Sequence, residues 1–185
     1  MTTESIDQTA AAGDAHADGS ARGAARLRAV QALYCMGEAG VEPGELQQLF
    51  LREPFLDDPR DDDLAAEEQG TLPDPALLSE FVTQIPKVMD RLDAALRPCL
   101  DRDLARVDPV ERAILRLGAY ELAHRLDTPY RVVINEAVEL CKRVGAESSH
   151  RYINGVLDKL AGALRGAELG RRRGAGPGPA RGNGP

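Results

Sequence analysis

Asp108-Pro109-Val110-Glu111-Arg112-Ala113-Ile114-Leu115-Arg116-Leu117-Gly118-Ala119-Tyr120-Glu121-Leu122 joins a helix-start signal to a broad apolar surface. Asp108 can accept from the free amides of a first helical turn. Pro109 suits the first helical position, where a missing N–H loses no bond, and Glu111 stands where a carboxylate can reach back to the cap amide. The apolar residues that follow, Ile114, Leu115, Leu117, Leu122 and then Leu126, surround most of such a helix. That distribution predicts the central, most buried element of an all-helical fold.

Working outward, Thr128-Pro129 opens a next helix whose Ile134, Ala137, Val138, Cys141 and Val144 share one face, with a stop at Gly145. Ser148 or Ser149 caps a last helix that buries Ile153, Val156, Leu157, Leu160 and Leu164. Upstream, Leu77, Leu78, Phe81, Val82, Ile85, Val88, Met89, Leu92 and Leu96 keep helical spacing through Pro86. This predicts one long helix kinked at the proline, or two abutting ones. A short helix near Pro43 to Leu51 buries Leu46, Leu49 and Phe50, and a first helix from about Arg22 to Met36 places Leu27, Val30, Leu33 and Tyr34 near one face before Gly37. Five to seven helices result.

Met1 to about Ser20 lacks periodic hydrophobes, and Gly166 to Pro185 is rich in Gly, Pro and Arg, so both ends read as disordered. The expected domain covers residues 21–165, with an N-terminal bundle over about 21–100 and a C-terminal bundle over about 101–165. At 43% apolar content, 185 residues are enough for one core; aromatics are only 4%, and the Ala- and Leu-rich composition disfavours a β-sandwich or barrel.

The formal net charge of -7 argues against nucleic acid only until it is located. Residues 53–70 hold eight acids against the single base Arg60, so this acidic loop alone accounts for -7 and the rest of the chain is formally neutral. Cys35, Cys99 and Cys141 form no CxxC pair, and His16, His124 and His150 have no ligand spacing. No disulfide framework and no metal is implied, and the cysteines read as reduced, in a cytoplasmic protein. No apolar run reaches membrane-spanning length, and the first thirty residues do not form a signal peptide.

No phosphate-cradling loop, nucleophile elbow, HExxH pair or dinucleotide fingerprint occurs, so no catalytic residue and no cofactor are expected. Glu136 and Glu139 could do acid–base work in a pocket, but Glu139 precedes Lys142 and Arg143 as on a solvated helix face. The polar residues that invite another function stand at helix starts. Gly145 to Gly155 opens a helix with hydroxyls and free amides beside His150, Arg151 and Tyr152, a combination that can hold phosphate and stack a base. Arg22, Arg26 and Arg28 make a second basic cluster. Asn154 and Gly155 read structurally, the glycine marking close packing inside a helix.

The segments Val30 to Tyr34, Asp108 to Arg116, Ala119 to Leu122, Pro129 to Leu140, Gly145 to Glu147 and Ser149 to Asp158 resemble the NusB family of bacterial transcription antitermination factors. The likeness runs in order from about Arg22 to Arg165 and is densest in the second half. It implies two packed helical bundles in one compact domain. It also implies a non-catalytic adaptor that binds boxA RNA together with NusE, a ribosomal small-subunit protein, within the RNA polymerase antitermination complex on ribosomal RNA operons.

By position, the resemblance assigns Arg22, Arg26, Arg28, Ser148, Arg151 and Tyr152 to RNA, and Tyr34 and Glu111 to NusE. The arginine segment is sparser than the family's usual one, and the acidic loop and the Gly/Pro/Arg tail depart from its pattern. Two alternatives stand beside this reading. One is a helical protein-interaction module with no RNA role; the other is an RNA-binding accessory domain akin to the one preceding the catalytic domain of certain ribosomal RNA cytosine methyltransferases.

Overall fold

The computed structural model describes residues 7–52, 72–146 and 148–166. Among these it holds six α-helices: α1 (Asp7–Glu38), α2 (Pro43–Arg52), α3 (Pro75–Leu96), α4 (Pro109–His124), α5 (Tyr130–Val144) and α6 (Ser149–Leu164). Short 3-10 turns at Arg97–Cys99 and Leu104–Arg106 lead from α3 to α4, and the described residues form no strand. The acidic loop and nearly all of the Gly/Pro/Arg tail lie outside the described residues.

Each start has a local cause. The Asp74 carboxylate accepts from the amides of Ala76 and Leu77 at 3.0 Å each, with Pro75 as the first helical residue of α3. Asp108 repeats this for α4, accepting from Val110 at 2.9 Å and Glu111 at 3.3 Å. The reach of Glu111 back to the cap amide is replaced by a longer one: its carboxylate accepts from Ser149 Oγ at the start of α6. Ser148 takes the N-cap position of α6 without a side-chain cap bond, because the neighbouring Ser149 is the residue turned inward.

α1 reaches back to Asp7, well before the expected start near Arg22. Residues 7–20 lack apolar periodicity but are rich in Ala, the best intrinsic helix former. At its other end α1 passes Gly37, and the positive φ of 66° falls at Gly40, where a residue without Cβ turns the chain toward α2. α3 is one helix through Pro86, so the buried stripe on both sides outweighs the bond that the proline removes.

α4 packs against α1, α3, α5 and α6, and so joins an N-terminal set (α1, α2, α3) to a C-terminal set (α4, α5, α6) around one shared core. Ile114, Leu115, Leu117 and Leu122 are all buried, as their distribution predicted. Gly118 makes the approach to α6 possible, since a Cβ there would stand 2.8 Å from a methyl of Leu157. Gly155, expected to mark close packing, has open space where a Cβ would be. Three leucines expected inside are outside: Leu49, Leu164 and, at 73% exposure, Leu126. Leu126 lies past the end of α4, so helical periodicity no longer sets its direction.

Two buried arginines fasten the C-terminal end of α4. Arg26 of α1 places Nε and Nη2 on the Glu121 carboxylate at 3.1 and 2.9 Å, and Nη1 3.5 Å from Glu136 of α5. Arg165, just after α6, donates to the carbonyls of Glu121, Leu122, Arg125 and Thr128 at 2.8–3.0 Å. These include the carbonyls that a helix C-terminus leaves without intrahelical donors. At the opposite end of α4, Arg112 is paired with Glu38 at 2.6 Å. Arg26 with Glu121 and Glu38 with Arg112 together make α1 and α4 antiparallel.

Candidate nucleic-acid and partner interface

The N-terminal end of α4 gathers most of the expected contact residues. Ser149 ties α6 to Glu111, which sets Ser148, Arg151 and Tyr152 beside the start of α4. Ser148 and Arg151 are exposed, and Arg151 makes no ion pair among the described residues. Tyr152 is half-buried and packs against the core, with its hydroxyl enclosed next to Asp101 in a geometry that makes no hydrogen bond. Burial, then the Asp101 carboxylate, push this phenol above its ordinary pKa, so it stays neutral.

Arg102 is the residue in this cluster that sequence reasoning missed. It stands in the connection between the two bundles, fifty positions before Tyr152, and its guanidinium lies 4.7 Å from the centre of that ring. The Asp101 carboxylate accepts from its Nε at 2.8 Å and its Nη2 at 3.2 Å. Nothing local in Asp101-Arg102-Asp103 signals this; only the return of α6 past the connection brings the ring to the arginine.

The arginine cluster of α1 lies at the other end of α4. Glu121, which Arg26 contacts, is ten residues from Glu111, a rise of about 15 Å along the helix. Arg22 is exposed and Arg28 half-buried. Arg26 does not share their setting: at 5% exposure, with its fork committed to Glu121 and Glu136, it holds the core together and offers RNA no free donor edge. Burial would favour an uncharged Arg26, but the hydrogen bond and charge of Glu121 prevail and hold it protonated.

Tyr34, the expected partner residue of α1, is 41% exposed, one turn before Glu38. It therefore sits toward the Arg112 end of the α1–α4 pair, the end that carries Glu111. Among the described residues no group of His, Cys, Asp and Glu could hold a metal, and no helix is long and apolar enough to cross a membrane.

The NusB family profile matches residues 23–162. This chain belongs to the NusB family. It is 44% identical over 161 residues to the transcription antitermination protein NusB of Halorhodospira halophila, covering 86% of this chain and 94% of that one. The NusB protein of Alkalilimnicola ehrlichii is 45% identical over 151 residues, covering 78% and 83%. Among solved structures, T. maritima NusB aligns with a TM-score of 0.62 at 27% identity, over 81% of this chain and 96% of that one. The two-bundle, all-α fold is thus that of NusB, and the family is one of non-enzymatic transcription antitermination factors. Arg22 falls just outside the matched span, whereas Arg26, Arg28, Tyr34, Arg102, Glu111, Ser148, Arg151 and Tyr152 fall within it.

Proposed function

We propose that this NusB-family chain binds boxA RNA together with NusE in the cytoplasm, as an adaptor of the RNA polymerase antitermination complex on ribosomal RNA operons. The observation that carries the reading is the cluster at the start of α6. There an exposed Arg151, an exposed Ser148 and an arginine–tyrosine stack meet beside Glu111. Single-stranded RNA is recognised by such combinations: cations and hydroxyls hold phosphates and fix position, while planar side chains take unstacked bases. Arg151, Ser148 and Tyr152 contact the RNA, Arg22 and Arg28 extend the basic path toward the far end of α4, and Tyr34 and Glu111 face NusE. Arg26 is left out because its donors are already used inside the fold.

The deciding experiment is fluorescence anisotropy of labelled boxA RNA titrated with this protein, with and without NusE, against a scrambled RNA at the same salt. Tighter, sequence-dependent binding in the presence of NusE is expected, and Arg151→Ala with Tyr152→Ala should weaken it. Equal binding to both RNAs, or none with NusE present, would favour a helical protein-interaction module without an RNA role.

A further inference from the structure

We propose that Arg102 is a phosphate-binding residue of the RNA site and that Asp101 is its built-in competitor, occupying the guanidinium fork until an RNA phosphate replaces it. This rests on the RNA-binding reading above and adds two residues that neither the resemblance nor the family match assigns a role.

The geometry supports it in three ways. Arg102 is about half exposed, so its outer edge is open to solvent. Its guanidinium carbon is held over the Tyr152 ring at 4.7 Å, which limits the conformations the side chain must give up on binding. Its Nε and Nη2 are already arranged around two carboxylate oxygens, Asp101 Oδ1 and Oδ2. A guanidinium fork accepts carboxylate and phosphate in this same two-point manner, so Asp101 stands where a phosphate group would. The hydrogen bond from Arg102 holds the Asp101 carboxyl below its usual range, so near neutral pH the competitor is ionised.

The pair is exposed on both sides, so the Asp101 contact is weak enough to be exchanged. A neighbouring RNA strand offers phosphates at high local concentration, and release of condensed counterions adds to the exchange. Arg102 then joins Arg151 and Ser148 on one strand, while Asp101 lowers affinity for stray anions that lack the other contacts.

The test uses the full chain with NusE and labelled boxA RNA, measured over a range of salt. Arg102→Ala is expected to weaken binding about five- to tenfold. It should also reduce the slope of log affinity against log salt by about 0.7, the amount for one phosphate contact on a single strand. Asp101→Asn is expected to tighten binding several-fold, and to do so only while Arg102 is present. Unchanged helicity by circular dichroism separates these effects from misfolding. The proposal is overturned if Arg102→Ala leaves affinity and slope unchanged. It is equally overturned if Asp101→Asn tightens binding as much in the Arg102→Ala background, which would make Asp101 a general repulsive charge. Wild-type protein that fails to bind boxA RNA with NusE would sink the RNA reading itself, and this proposal with it. Wild-type binding with silent variants would sink this proposal alone.

Discussion

Replacing Arg26 by Met separates a structural arginine from an RNA-binding one. In the folded protein Glu121 is 1% exposed, and its carboxylate receives three contacts from Arg26, at 2.9, 3.1 and 3.3 Å. Met fills much of the side-chain volume and leaves Glu121 without its partner, since Glu136 is another acid. Removing one member of a buried pair typically costs about 3–5 kcal/mol, which for a chain of this size lowers Tm by about 6–20 °C. Burial already pushes the Glu121 carboxyl above its ordinary pKa against the pull of Arg26, and the variant loses that pull. An acid whose folded pKa is raised destabilises fully above that value and not at all below its unfolded one, near 4.5. The deficit of Arg26→Met should therefore be largest near neutral pH and shrink as pH falls toward 4.5. Glu121→Leu added to Arg26→Met should recover most of the loss, because an apolar pair of similar volume avoids the desolvation. Urea unfolding followed by circular dichroism at several pH values measures each quantity. A loss below about 1 kcal/mol, accompanied by a smaller salt slope for RNA binding, would refute the argument and return Arg26 to the RNA surface.

Five other variants probe different parts of the fold. Arg165→Met should destabilise by about 1–3 kcal/mol in urea unfolding, since it takes the donor from the buried Leu122 carbonyl, whereas Glu121 keeps the Arg125 amide and Arg125 keeps the Thr128 amide. Arg165→Lys should restore less than half, because one ammonium cannot span all four acceptors. In an ultraviolet titration of phenolate, Tyr120 should ionise at about 12, held up by burial and then by its hydrogen bond to Glu80 at 3.1 Å. Its stabilising contribution is present below pH 10 and lost as pH rises toward 12, and Tyr120→Phe should remove that step. Gly155→Ala should raise stability by about 1 kcal/mol, because the new methyl meets open space inside α6. Gly145→Ala should lower it by about 1–3 kcal/mol, because its Cβ would stand 2.7 Å from the Cys141 carbonyl oxygen. Thermal melts of the two variants give opposite signs if the reasoning holds.

How much of this could be read from residues alone varies with the range of the cause. Asp108 and Pro109 mark a helix start through contacts within three residues, and that cap forms as read, while Asp74 and Pro75 carry the same local signal for α3, which the sequence reading passed over. The apolar spacing of α3 and α4 gave their buried faces because periodicity is set by the helix itself. It misled where the helix had ended, at Leu126, and where the helix carries its residue past the core, at Leu49 and Leu164. The exposed Arg151 and Ser148 follow from their places at the open start of α6.

The residues alone were enough for the number of helices, the Asp108 cap, the all-α class and the family, since each follows from short-range spacing or from an ordered run of matching segments. Tertiary structure alone decided which charges are used up inside. Arg26 lies one turn before Ala29 and Val30 and two before Leu33, and Glu121 one turn after Leu117, so both sit in buried registers at odds with their charge. Neither tolerates burial without the other, and they are 95 residues apart. Arg102 and Tyr152 are separated by fifty residues in the same way and meet because α6 folds back across the connection. Burying a charge, or aiming one, depends on a partner that local spacing cannot supply, and the packing of α1 and α6 on α4 supplies it.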